Sequence, residues 1–141
     1  MIVLDTNVVS EIMSPKGNPE VTRWVNRQIR AELFTTAISE AETFYGIALL
    51  PDGRRKAAMK IAADQIFSRD FADHVLAFDG AAARHFAELG AGRRQMGKPI
   101  SGFDAQIAAV ARSHGAILAT RNTKDFVDCG LRLINPWEDA P

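Results

Sequence analysis

The 141-residue chain has a single cysteine, Cys129, which excludes an internal disulfide and leaves no second thiolate for a zinc site. It has no surplus of either charge. Seventeen Lys and Arg balance seventeen Asp and Glu, so the basic field of a non-specific nucleic-acid binder is missing and any polyanion must be held locally. Long apolar runs are also lacking: the segment Ala105 to Ala111 is short and carries Gln106, against the roughly 20 residues needed to cross a bilayer. The three histidines, His74, His85 and His114, stand at no metal-ligand spacing and have no nucleophile partner, so packing or surface roles account for them. No repeat or low-complexity tract is present, and proline and glycine are spread along the chain, so residues 1–141 read as one domain. Met1 leads directly into an apolar run with no basic n-region or small-residue cleavage site. The expectation is a soluble, cytoplasmic protein with no membrane partner.

What is present begins at Ile2, Val3, Leu4, an apolar run that ends abruptly in Asp5. Continuous apolar strands belong to parallel sheets covered on both faces, and ligands of such sheets bind beyond the carboxyl ends of the strands. Asp5 is placed on that edge. Residues 6–13 then read as a helix stopped by Ser14, Pro15, Lys16 and Gly17. Pro19 opens another, with Val21, Trp24, Val25 and Ile29 at helical spacing. Further strands are predicted at 33–37, 74–78, 116–120 and 131–134. Helices are predicted from Ala41 to about Leu49, over 54–67 with Ala58, Ile61, Ala62 and Ile66 on one face, from Ala81 to Leu89 loosening at Gly90 and Gly92, and over 103–113 closing on His114 and Gly115. Strands alternating with helices predict an α/β fold, a central parallel sheet of about five strands flanked by helices.

In such a sheet the residue leaving each strand and the first turn of the next helix share one edge. Asp5 follows the first strand, Glu42 is expected in the first turn after the second, Asn122 and Asp125 follow the fourth, and Asp104 opens the helix leading back to it. Singly, each has a capping explanation. Asp5 can cap the first helix, Ser39 to Glu42 has the spacing of a capping box, Ser101 to Asp104 resembles one, and Asn122 can cap the turn holding Asp125. Jointly they do not, because like charges about 4 Å apart repel by about 4 kcal/mol at an effective dielectric near 20. If Asp5, Glu42 and Asp104 converge they need a cation, and an all-oxygen set selects Mg²⁺ or Mn²⁺.

These residues carry a resemblance. The segments VLDTNVVSE around Asp5, ISEAETFYGIALL around Glu42, GFDAQIAAVARSHG around Asp104, LATRNTKDF around Asn122 and the terminal NPW resemble, in order and over nearly the whole chain, the PIN-domain ribonucleases of the VapC/FitB toxin type. The resemblance implies a single PIN-like domain and a metal-dependent endoribonuclease, the toxin of a bacterial type II toxin-antitoxin system. Asp5, Glu42 and Asp104 would bind Mg²⁺ (or Mn²⁺), with Asn122 at a fourth catalytic position and Thr6, Asn7 and Thr120 as supporting polar residues. The implied partners are an RNA substrate, a cognate antitoxin that alone touches DNA, and a second copy of the chain in a homodimer. Many relatives carry an acid where this chain has Asn122, and Asp125 could supply the missing charge. Arg121 and Lys124, beside the acids, are candidate phosphate contacts.

Two alternatives stay open at this point. One is a PIN-type binding module impaired in catalysis, which the amide at Asn122 would favour. The other is a phosphoacceptor or phosphatase domain, which also places an Asp after its first strand but wants a second two residues on, where this chain has Asn7.

Overall fold

Continuous apolar strands need cover on both faces, and the computed structural model, which describes residues 1–138, provides it. Five strands form one parallel sheet: β1 (Ile2–Leu4), β2 (Leu33–Thr36), β3 (Val75–Leu76), β4 (Ile117–Ala119) and β5 (Arg132–Ile134), in the order β3-β2-β1-β4-β5. Alternation along each strand divides the core in two. Leu4 and Ala119 join Val8, Val21, Trp24 and Phe67 on one face, while Val3 and Leu118 join Leu89, Ile107 and Phe126 on the other. The first face is covered by α1 (Thr6–Met13), α2 (Pro19–Arg27), α3 (Ala37–Ala48) and α4 (Arg54–Gln65), the second by α5 (Gly80–Gln95) and α6 (Gly102–Ser113). The five-stranded α/β fold expected from the sequence is the one observed. Among the described residues no helix is long and apolar enough to cross a membrane.

Local chemistry explains most boundaries. Asp5 Oδ1 accepts the Val8 N–H at 3.1 Å and starts α1, Asn18 Oδ1 accepts from Glu20 at 2.9 Å with Pro19 at the first helical position, and Gly115 ends α6 at φ 62°. Gly17 has a packing reason, since a side chain there would run into the Glu11 carbonyl.

Three expectations are corrected. First, α3 begins at Ala37 rather than Ala41: Thr36 is its cap, accepting the Ser39 N–H at 3.0 Å. The Ser39–Glu42 capping box is therefore not formed, and Glu42 lies in the second turn. Second, of the stripe Ala58, Ile61, Ala62, Ile66 only Ile66 is buried: Ala58 and Ile61 are exposed, and Ala63 and Phe67 are buried beside Ile66. A π-helical turn at Ile66–Asp70 rotates Ile66 and Phe67 into the core. Third, α5 runs through Gly90 and Gly92 to Gln95. Each glycine costs a helix roughly 0.5–1 kcal/mol relative to alanine, and packing of α5 along α6 overrides that.

Candidate metal site at the carboxyl edge of the sheet

The chain leaves the sheet in opposite directions from β1, with β2 on one side and β4 on the other, and a ligand crevice is expected at such a point. Leu4 pairs with Ala119, so Asp5 and Thr120 emerge side by side, and the Asp5 N–H donates to the Ala119 carbonyl at 3.0 Å. Asp5 is only 4% exposed. Burial raises its pKa from 3.8 to about 6, against the lowering effect of hydrogen bonds from the Thr120 hydroxyl and the Val8 and Asn7 N–H groups; the charge of Asp104 adds to the rise. Thr120, fully buried, also accepts the Asn122 N–H at 3.1 Å and so ties the loop after β4 to Asp5.

Asp104 lies in the first turn of α6, where Ser101 caps as predicted, its Oγ accepting the Asp104 N–H at 3.3 Å. The Asp104 pKa is raised, chiefly by desolvation, with the charge of Asp125 adding to the rise and a hydrogen bond with Ser101 opposing it. Electrostatically the edge is a chain of acids: Asp104 acts on Asp5, and Asp125 on Asp104. Among the described residues none of Asp5, Glu42, Asp104 and Asp125 forms an ion pair.

Glu42 is held differently. The Thr6 hydroxyl donates to its Oε1 at 2.7 Å and also lies 3.0 Å from Ser39 Oγ, so α1 and α3 are joined through a buried serine that sequence reasoning treated only as a cap. Among the described residues no three His, Cys, Asp or Glu side chains stand close enough together to hold an ion, so the expected triad of Asp5, Glu42 and Asp104 is not a finished cage. The charge of Asp104 reaches Asp5, while Glu42 is held by the Thr6 hydroxyl.

The other predicted residues divide. Asn7 contributes its backbone N–H to Asp5 while its side chain is exposed. Asn122 is exposed and its side chain does not cap the following 3-10 turn, Thr123–Phe126; its carbonyl instead accepts the Asp125 N–H at 2.9 Å. The Arg121 guanidinium stacks over the Trp137 ring, 5.3 Å from its centroid, while Lys124 is exposed. Arg93, which stands beside Arg94 in the sequence, is buried.

Among the described residues these acids have no ion-pair partner, and burial makes the Asp5 carboxylate harder to ionise; such an all-oxygen set fits a hard divalent ion. A charge of +2 beside Asp5 and Asp104 would remove the repulsion and the desolvation cost together.

Comparison with known proteins identifies the family. The PIN domain family matches residues 2–129. A VapC ribonuclease of Sinorhizobium fredii is 40% identical over 140 residues, covering 99% of this chain and 100% of that relative. Toxin FitB of Neisseria gonorrhoeae is 36% identical over 139 residues, covering 99% of this chain and 100% of its own length. Among solved structures, a FitAB complex bound to a DNA fragment contains a chain that matches with a TM-score of 0.91 at 35% identity, covering 100% of this chain and 99% of that one.

Proposed function

The chain belongs to the PIN-domain family, in its VapC/FitB toxin branch, and on that premise we propose that it is a metal-dependent endoribonuclease serving as the toxin of a type II toxin-antitoxin pair. The observation that carries the proposal is Asp5, a buried carboxylate that feels the charge of a second acid, Asp104, and has no cation partner among the described residues. Asp5 and Asp104 hold Mg²⁺ or Mn²⁺, with Glu42 and Asp125 bordering the site. A bound ion would lower the pKa of a water so that it gives up a proton and can attack the scissile phosphorus, and would offer positive charge to the phosphate oxygens.

The chain's own residues do the rest. Thr120 fixes the direction of the Asp5 carboxylate through its hydroxyl, and Thr6 holds Glu42. Lys124, exposed in the turn after β4, is free to meet substrate phosphate, and Arg121 does so from its stacked position on Trp137. The test is a panel of RNAs incubated with purified protein, with and without chelator, alongside Asp5→Asn. Chelator-sensitive cleavage that Asp5→Asn lacks supports the proposal. Metal-independent cleavage, or cleavage that survives the substitution, sinks it. Metal binding without cleavage would favour the impaired binding module. The family match sets aside the phosphatase alternative.

Asn122 brings no charge to this site. Asn122→Asp is expected to tighten Mn²⁺ binding by about tenfold, roughly 1.4 kcal/mol, as read by calorimetry. An unchanged or weaker affinity would remove position 122 from the site.

The reading includes a protein partner. A groove of about 750 Å³ opens between α1, α3 and α4, with Thr6 and Glu42 among its lining residues and Met13, Gly46, Leu50 and Met59 forming apolar wall. It suits an antitoxin segment that lies along the groove and covers Glu42, leaving DNA contact to the antitoxin. Such a toxin works in the cytoplasm, and as a homodimer. Gly46 has open space where a side chain would begin. Gly46→Leu is therefore expected to leave the fold at least as stable, because it improves helix propensity, yet to weaken cognate antitoxin binding by about tenfold or more by calorimetry. Undiminished affinity would place the antitoxin elsewhere.

A further inference from the structure

Arg93 is the one buried charged residue of the second core face, 5% exposed on α5, and it faces no carboxylate ion pair among the described residues. A buried cation without such a pair is costly and is retained only where its hydrogen bonds are good. Here they are. Nε donates to the Lys98 carbonyl at 2.7 Å, and Nη1 donates to the carbonyls of Asp125 at 2.9 Å and Val127 at 2.7 Å. Lys98 belongs to the loop that delivers Ser101 and Asp104 into α6; Asp125 and Val127 belong to the loop after β4. One planar group thus ties together the two segments that carry Asp104 and Asp125. It also lines, with Ser101, Asp104 and Asp125, a cavity of about 220 Å³ at the site's flank.

The geometry points to Arg93 as a positioning residue that holds Asp125 against Asp104, and so makes Asp125 the charge that stands in for the amide at Asn122. This rests on the metal-site reading above. The two acids line one cavity and carry like charge, and loops carrying like charges drift apart unless something braces them. Arg93 braces them through backbone carbonyls and engages neither carboxylate, which leaves both available to a cation. Lysine cannot replace it, because a single ammonium on a flexible stem does not reproduce a rigid fork that reaches acceptors on two loops.

The test uses the full chain as Arg93→Lys, Asp125→Asn and the double variant. Hydrogen exchange is measured without metal, and Mn²⁺ affinity by calorimetry at a temperature where every variant is folded. Arg93→Lys is expected to speed exchange over residues 97–101 and 123–130 more than elsewhere and to weaken Mn²⁺ binding about tenfold. In the Asp125→Asn background the same substitution should change Mn²⁺ affinity less than about twofold, a coupling that a purely structural arginine would not give. Unchanged exchange in the two loops, or equal losses of affinity in both backgrounds, would overturn the assignment. If the wild-type chain itself takes up no Mn²⁺, the metal-site reading fails and loop exchange alone decides whether Arg93 braces the two segments.

Discussion

Asp5→Asn is expected to abolish RNA cleavage and, in the same molecule, to make the metal-free fold more stable at pH 8. Both effects come from one buried carboxylate. The Asp5 pKa stands at about 6 in the fold against 3.8 ordinarily, raised mainly by burial. An acid whose folded pKa is raised leaves stability untouched below the unfolded value, lowers it progressively between the two values, and imposes its full cost above the folded value. That cost is about 3 kcal/mol at pH 8. Asparagine avoids it and can still accept the Val8 N–H that caps α1. With chelator present, urea unfolding curves of the two proteins should coincide near pH 4 and separate between pH 4 and pH 6, with the variant the more stable. Cleavage should fall by about a hundredfold or more. A variant less stable than wild type at pH 8 would mean that Asp5 is not desolvated as described.

Asp104→Asn should be nearly silent in stability and severe in activity. Asp104 is partly exposed, and the helix-end interaction its charge provides, about 0.3–1 kcal/mol, is offset by relief from Asp125. Cleavage should again drop by about a hundredfold or more, since half of the carboxylate pair is gone. The substitution also carries a signature at a distance: because the Asp104 charge raises the Asp5 pKa, its removal should lower the Asp5 midpoint below about 6 in a carboxyl NMR titration of the metal-free protein. A midpoint that stays put would separate the two acids and with them the site.

The strand ends were the legible part of this molecule. Ile2, Val3 and Leu4 read as a doubly covered strand because alternate residues do enter different cores, and Asp5 caps α1 as its position suggested. Ser101 and Gly115 likewise announced the two ends of α6. What failed was local propensity wherever tertiary contact overruled it. Gly90 and Gly92 read as a break, yet α5 continues because α6 packs along it. The start of α3 was placed late because Thr35 and Thr36 read equally well as strand, whereas the Thr36 hydroxyl caps the helix and Thr35 Oγ1 donates to the Leu4 carbonyl at 3.0 Å. Arg93 was missed for a different reason. A cation in a basic stretch reads as surface, and nothing short of the three carbonyls it meets distinguishes a brace from a solvated side chain.

The proposed chemistry requires Asp5 and Asp104 to share a divalent cation. Crystals of the chain grown with Mn²⁺, and diffraction data collected for the anomalous signal of manganese, test this most directly. The predicted result is an anomalous peak within coordination distance of carboxylate oxygens of both Asp5 and Asp104, at roughly 2.0–2.2 Å, lost in Asp5→Asn crystals grown alike. An anomalous peak elsewhere on the protein, or none at saturating Mn²⁺, would contradict it.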